Sequence, residues 1–208
     1  KTTIWQFPQL ILGAVALFLY VGVEVIAGDT IGLYGASIGV ANATTLTSYT
    51  MGFMVLGYLL GLACIPRFIS QVNALRLSAL AGVAISVALL FASNEQTQIS
   101  QILWGWAGIT TLPNSVALIA LLGLANAMVW PTLWPLALAG LGRFTPKGSA
   151  ILIMGIAGGA LLPLIYGQLA HSSNSQAAYW ILLPGYFIIG FYAFYGQGMR
   201  NWTRKSPS

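Results

Sequence analysis

Three residues of one long apolar segment have side chains that suit ligand binding. Asn126, Trp130 and Trp134 follow one another at intervals of four residues, so a helix would place them along one face. The amide can hydrogen-bond hydroxyl groups, and an indole face can stack on the apolar C–H face of a sugar ring. The set therefore predicts a sugar-binding stripe. The alternative is that the indoles pack against neighbouring helices while Asn126 forms an interhelical hydrogen bond.

A single carboxylate lies well inside another apolar segment. Glu24 follows Tyr20 by one helical turn, on the same face. A charged carboxylate inside a membrane costs about 2.5–3.5 kcal/mol on insertion scales, which makes Glu24 a candidate for binding a ligand or a coupling cation. Its expected position, near the outer end of the first helix, leaves the alternative that it reaches interfacial water. Asp29 is expected in a solvated loop.

Other polar side chains carry weaker signals. Some could face a cavity or form a local interhelical hydrogen bond, namely Tyr49, Tyr58, Tyr166 and Gln168. The lone His171 is a poor metal site, and the lone Cys64 is expected to behave as a small buried apolar residue.

The sequence offers little for covalent catalysis. It has no CxxC, HExxH or GxxxxGKS/T motif, and intramembrane aspartyl chemistry needs two aspartates where only Asp29 is present. We therefore expect binding or movement of a solute rather than an enzyme, with no cofactor and no metal ion.

The composition indicates the elements that hold these residues. Of the 208 residues, 58% are hydrophobic and 5% are charged, whereas about a quarter of a soluble domain is charged. Such a surface faces lipid rather than water. Apolar runs of about 20 residues, each long enough to cross a membrane, recur six times. They run from about Phe7 to Ala27, Leu46 to Ile65, Ala74 to Ala92, Val116 to Leu141, Ser149 to Ala170 and Ala177 to Tyr195.

The charges support this count of helices. With six helices, all basic residues fall on one side of the membrane: Lys1, Arg67, Arg76, Arg143, Lys147, Arg200, Arg204 and Lys205. The positive-inside rule makes that side cytoplasmic, together with both termini. The acidic residues Glu24, Asp29 and Glu95 lie at or near the other side. The net charge of +5 thus reports topology, with a weak attraction to anionic lipid.

Small residues and prolines interrupt the predicted helices. Pairs spaced by four residues allow two helix backbones to approach closely, as with Gly57 and Gly61 or Gly155 and Gly159. Prolines leave backbone carbonyls without a partner and are typical of helices that bend in transporters and channels. The residues predicted for helix packing or gating are Gly155, Gly158, Gly159, Pro163, Pro131 and Pro135.

Three stretches together resemble a known family. They read FLYVGVEVIAG from Phe18, GLANAMVWPTLWPLALAGLG from Gly123 and GSAILIMGIAGGALLPLIYGQ from Gly148, with RFTPK between the last two. In these stretches the chain is similar to the second half of sugar transporters of the major facilitator superfamily, in the branch of the fucose permeases and the bacterial glucose/galactose transporters. The resemblance covers essentially the whole chain.

The resemblance implies a fold and a mechanism. The chain would be a six-helix bundle, half of a twelve-helix fold, with two inverted three-helix repeats at about 1–93 and 114–198 and a cytoplasmic tail at 199–208. Sugar would bind near the membrane midplane while the two halves alternate access. The first helices of the repeats would then be those that carry Glu24 and the Asn126 stripe. Trp130 matches a cavity aromatic of the fucose permeases.

The resemblance also implies partners. Glu24 falls in a motif where an acid is typical of glucose/galactose members, which favours a hexose such as glucose, galactose or mannose. The resemblance further implies that the sugar is coupled to a proton or sodium ion and that the protein lies in a bacterial inner membrane. The coupling carboxylates of the family lie in a first half that this chain lacks. The first residue is Lys rather than Met, so we expect a piece of a longer protein; pairing of two copies is the alternative. The alternative function is a non-transporting membrane module that binds sugar or supports assembly.

Overall fold

Six long helices and a short helix at Gln98–Leu103 make up most of the described part of the protein. The structure, a computed structural model, describes residues 2–202, and within them six helices are long and apolar enough to cross a membrane. They are α1 (Pro8–Ser37), α2 (Ala43–Cys64), α3 (Gln71–Phe91), α4 (Asn114–Leu138), α5 (Gly142–Ser172) and α6 (Ala177–Gly198). No strand occurs among the described residues. The predicted all-α, six-helix membrane fold is confirmed.

Helix α1 is longer than predicted. It continues ten residues past Ala27, to Ser37, and at 1.5 Å per residue its 30 residues span about 45 Å, more than the hydrocarbon core. The glycines of residues 28–37 suggest a loop in the sequence. In the structure Gly35 instead leaves room for a neighbouring side chain, because a Cβ there would lie 2.3 Å from Leu46 Cδ1. The expected loop position of Asp29 was wrong, because Asp29 is helical and exposed.

The same extension moves Glu24 relative to the helix end. Glu24 lies 13 residues before Ser37, the last residue of α1, so it is near the middle of the helix and not near its outer end as expected. Its side chain is half-buried. At 1.5 Å per residue, about 20 Å of helix separates this carboxylate from the end of α1.

The packing of the helices follows an exchange pattern. Helices α1 and α4 occupy the centre; α1 packs on α5 and α6, and α4 packs on α2 and α3. If α1 is exchanged with α4, α2 with α5 and α3 with α6, the α1–α5 contact corresponds to the α4–α2 contact, and the α1–α6 contact corresponds to the α4–α3 contact. The α1–α4 and α3–α6 contacts correspond to themselves. Because three consecutive membrane helices reverse direction, α1 and α4 run antiparallel, so the exchange relates two inverted units.

Glycines sit at the equivalent contacts of this pattern. Between α1 and α5, a Cβ on Gly158 would lie 1.9 Å from the Phe18 carbonyl oxygen. Between α2 and α4, a Cβ on Gly123 would lie 2.2 Å from the Thr50 carbonyl oxygen. Without a hydrophobic drive between helices in lipid, such close approach supplies much of the association.

Hydrogen bonds tie the helices together at the end where the chain begins. The Gln9 amide of α1 donates to the Ala139 carbonyl beyond α4 (2.9 Å), and the Tyr192 hydroxyl of α6 donates to the Gln9 carbonyl (2.8 Å). This end, called the basic end, holds all the described basic residues: Arg67, Arg76, Arg143, Lys147 and Arg200. Lys1, Arg204 and Lys205 lie outside the described residues, as does the predicted tail after Trp202.

The opposite end is held by an amide network. The Gln176 amide nitrogen, between α5 and α6, donates to the Leu89 and Ala92 carbonyls at the end of α3 (2.8 and 2.9 Å). Its oxygen accepts from Asn94, whose own oxygen accepts from Tyr34 of α1. These bonds satisfy the last carbonyls of α3, which otherwise have no partner within the helix.

Candidate functional site

A buried amide–phenol pair joins two helices in the interior of the bundle. The Tyr186 hydroxyl of α6 donates to Asn126 Oδ1 of α4 over 2.6 Å, and both side chains are almost completely buried. The ring of Tyr186 fits because Gly82 of α3 has no side chain there. Asn126 Nδ2 has no hydrogen-bond partner within residues 2–202. A buried donor without a partner is rare and points to a function.

A second pair lies on α1. The Tyr20 hydroxyl is beside the Glu24 carboxylate, one turn further along the helix. Tyr20 is buried and Glu24 is half-buried. Both residues are within electrostatic range of Tyr58 on α2 and of Tyr186.

These two pairs and Tyr58 form one group, which we call the polar cluster: Tyr20, Glu24, Tyr58, Asn126 and Tyr186. It draws on α1, α2, α4 and α6, and so on both of the units that the exchange pattern relates. Its chemistry is that of three phenols, one amide and one carboxylate. Such groups bind hydroxyls and protons reversibly.

Helix α4 is interrupted directly after Asn126. Its two regular parts are Asn114–Asn126 and Val129–Leu138. Pro131 has no N–H to offer the carbonyl four residues before it. The Met128 carbonyl, next to the interruption, accepts from both the backbone N–H and the hydroxyl of Thr132. Irregular backbone at membrane depth is tolerated where side chains or a cavity satisfy it.

The two indoles after the interruption stack on each other. The ring centroids of Trp130 and Trp134 are 5.3 Å apart with an angle of 17° between the planes, and both rings are half-buried. Each indole therefore gives one face to its neighbour and can offer a ligand only the other face.

A cleft lies between Tyr58 of the polar cluster and the interruption of α4. It has a volume of about 290 Å³ and is lined by Tyr58 and Gly61 of α2 and by Met128, Pro131 and Thr132 of α4. Small-molecule sites usually occupy about 300–1,000 Å³ and enclose most of the ligand. The cleft is at the lower limit of this range and is open, as expected if a second part of the protein forms the other side of the site.

Other predicted residues lie elsewhere. Gly155, Gly158 and Gly159 face Phe18 and Val21 of α1, and Pro163 is half-buried within α5. Pro135 is exposed inside the second part of α4.

The remaining polar candidates are also outside the polar cluster. Tyr49 packs on Trp104, with ring centroids 5.5 Å apart, and Tyr166 donates to the Ser175 carbonyl at the end opposite the basic end. Gln168 and His171 are exposed. Cys64 is half-buried rather than buried. No group of three or more His, Cys, Asp or Glu side chains that could hold a metal ion occurs in the described part of the chain.

Sequence reasoning missed Tyr186. A phenol in the middle of the apolar run LLPGYFIIGFYAF was available as a signal, because a hydroxyl at that depth needs a partner. The residue that supplies this partner, Asn126, is 60 positions earlier, and no local spacing connects the two.

The fold defines the class of protein. Six membrane helices with this exchange of contacts have the fold of part of the Escherichia coli fucose:proton symporter, a major facilitator transporter. A crystal structure of a variant of that symporter matches with a TM-score of 0.76, 20% sequence identity and coverage of 90% of this chain and 42% of the symporter.

Sequence comparison leads to sugar transporters. The glucose/galactose transporters of two Brucella abortus strains, biovar 1 strain 9-941 and strain 2308, are each 32% identical to the chain over 198 residues. The match covers 93% of this chain and 43% of each relative, so the chain spans less than half the length of these relatives. No family model matches. The resemblance predicted from the three stretches is confirmed, and these relatives are named as transporters rather than as enzymes.

Proposed function

We propose that this chain is the C-terminal six-helix half of a cation-coupled hexose symporter that works by alternating access. The observation that carries the proposal is the 32% identity to glucose/galactose transporters along 93% of the chain. The basic end would face the cytoplasm of a bacterial cell, with the bundle in the inner membrane, because basic loops are retained on that side.

The sugar would bind at the polar cluster and the indole pair. Asn126 and Tyr20 would hydrogen-bond sugar hydroxyls, while the free face of Trp130 or Trp134 would stack on the ring. Glucose, galactose and mannose have the hydroxyls and the apolar ring face that these groups suit. Asn126 is covered in this conformation, so binding would need a small opening of α4 at its interruption.

The coupling cation, a proton or a sodium ion, would bind at Glu24. Support comes from its place near the middle of α1, where a carboxylate is unfavourable unless it is neutralised. Tyr20 and Tyr58 are close enough to respond to its charge.

The missing six-helix half would cover α2 and α5. These two helices are the least buried of the six, and they are equivalent under the exchange pattern. They expose large apolar side chains, among them Val55, Leu59, Met154, Leu161 and Leu164. The alternative partner is a second copy of the chain, with membrane lipid around either assembly.

Co-reconstitution tests this proposal. The chain would be placed in proteoliposomes with the part of the Brucella transporter that it does not match, and counterflow of labelled glucose, galactose, mannose and fucose would be measured. We expect saturable exchange of one hexose only when both parts are present. Exchange by the chain alone would indicate a dimer of this chain.

Specific binding without exchange, in protein verified as folded and inserted, would contradict transport and favour a sugar-binding module. The matched control is Trp180→Ala, which removes an exposed indole on α6. It should leave exchange unchanged.

A further inference from the structure

A long apolar groove runs between α2 and α3, with α4 as its floor. Its volume is about 320 Å³. Leu60 and Cys64 line one wall, Leu77 and Ala81 the other, and Leu124 and Met128 lie beneath. The groove contains no residue of the polar cluster, although Gly61 and Met128 line both the groove and the neighbouring cleft.

The groove fits one leaflet of a membrane. Its α2 wall extends from Gly57 to Ile65 and its α3 wall from Ala74 to Ile85. At 1.5 Å per residue these walls are about 12 and 16 Å long. Half of a hydrocarbon core of about 30 Å is about 15 Å. The walls meet the turn between α2 and α3, so the groove occupies the leaflet at the basic end.

The groove does not suit another helix. Its two glycines are already used, because Gly57 is packed against Ala127 and Gly61 against Met128 of α4. This glycine pair of α2 is therefore not free for close backbone approach by another helix. A helix is about 10 Å wide and could only lie over the groove, whereas a flexible hydrocarbon chain could enter it.

An exposed cation stands at the basic end of the groove. Arg67 lies in the turn between Ile65 and Ile69, both of which line the groove. Its guanidinium is 5.4 Å from the centre of the Phe68 ring, and its side chain is exposed. Arg76, on α3, instead donates to the Ala193 carbonyl and to Asn73.

We propose that this groove binds one acyl chain of an anionic phospholipid, with the lipid phosphate paired to Arg67. An arginine fork matches phosphate oxygens in geometry and charge. An acyl chain fills a groove that is apolar and lies at membrane depth, where water is unfavourable. The proposal is independent of sugar transport.

The native cysteine provides the measurement. Cys64 is half-buried, lines the groove, and is the one cysteine of the chain. The full chain in detergent would be titrated with phosphatidylglycerol or phosphatidylcholine of identical acyl chains while the rate of Cys64 modification by a membrane-permeant maleimide is followed. We expect both lipids to protect the thiol, with phosphatidylglycerol about fivefold more effective, the effect of one basic residue at a charged surface.

Two variants make the test decisive. Arg67→Gln should bring the two protection curves together, while Arg143→Gln, which removes an exposed guanidinium at the same end but away from the groove, should keep them apart. Equal protection by both lipids in the native chain would overturn the role of Arg67. Protection that rises with protein concentration in the absence of lipid would assign the groove to a second copy and would overturn the lipid site.

Discussion

The Tyr186 hydroxyl donates to Asn126 Oδ1 over 2.6 Å, while Asn126 Nδ2 has no partner among residues 2–202. The phenol hydrogen needs an acceptor, and the amide oxygen supplies it. The amide is thereby fixed with its NH₂ group as the part that can serve a ligand. Orientation of this donor depends on a residue of another helix.

Replacing Tyr186 by Phe tests this dependence. The substitution leaves Asn126 Oδ1 without its donor, which should lower the free energy of unfolding by about 1–3 kcal/mol. It also lets the amide turn, so sugar affinity should fall further than the loss of stability explains. Thermal unfolding in detergent and sugar binding would be measured together. Tyr195→Phe, at an exposed phenol, is the control, and an unchanged affinity in Tyr186→Phe would remove the orienting role.

Replacing Trp130 by Ala should weaken sugar binding without preventing membrane insertion. It removes the indole that stacks on Trp134, and with it one aromatic face of the proposed sugar site. A tenfold weaker affinity, equivalent to about 1.4 kcal/mol, is expected. Binding of labelled hexose to purified, correctly inserted protein would measure it. Unchanged affinity would show that the indole pair serves packing alone.

Replacing Glu24 by Gln should separate exchange from accumulation. An amide cannot take up and release a coupling proton, but it can still hydrogen-bond a sugar. In the co-reconstituted transporter, counterflow should persist while accumulation driven by a pH gradient is lost. Glu95→Gln, which changes an exposed acid outside the helices, should alter neither. Accumulation that survives in Glu24→Gln would move the coupling site elsewhere.

Much of the fold follows from the sequence because lipid imposes a simple rule. Every span needs about 20 apolar residues, and the basic loops alternate with the others, so hydropathy and charge agree on six helices. The sequence did not predict where α1 ends, because residues 28–37 resemble a loop in composition. They are helical in the structure, where Leu46 occupies the space beside Gly35, a contact that no local pattern reveals.

The candidate site was only partly predictable, for a similar reason. Asn126, Glu24 and Tyr20 were recognisable because polar groups at membrane depth are unfavourable without a partner. Their assembly with Tyr58 and Tyr186 depends on how α2 and α6 pack on the central helices. The stripe of Asn126, Trp130 and Trp134 assumes a regular helix, whereas α4 is interrupted between the amide and the indoles.

Replacing Gln176 by Ala should loosen the end of the bundle opposite the basic end. The change removes both bonds to the last carbonyls of α3 and the acceptor for Asn94. A loss of about 1–3 kcal/mol in the free energy of unfolding is expected, together with faster amide exchange at the end of α3. Gln168→Ala removes an exposed amide on α5 and should leave both measurements unchanged. Equal effects of the two variants would contradict a specific role for Gln176.

Replacing Gly158 by Ala should separate α5 from α1. The added Cβ would lie 1.9 Å from the Phe18 carbonyl oxygen, and because that oxygen belongs to the backbone, the helices themselves must shift. Overpacking of this kind usually lowers the free energy of unfolding by about 1–3 kcal/mol. The same change at Gly167, also on α5, meets no atom within 4 Å and serves as the control. Thermal unfolding of the two variants in detergent would be compared. A Gly158→Ala variant as stable as Gly167→Ala would mean that the helices can separate at little cost, and the close α1–α5 contact would then not be a main source of their association.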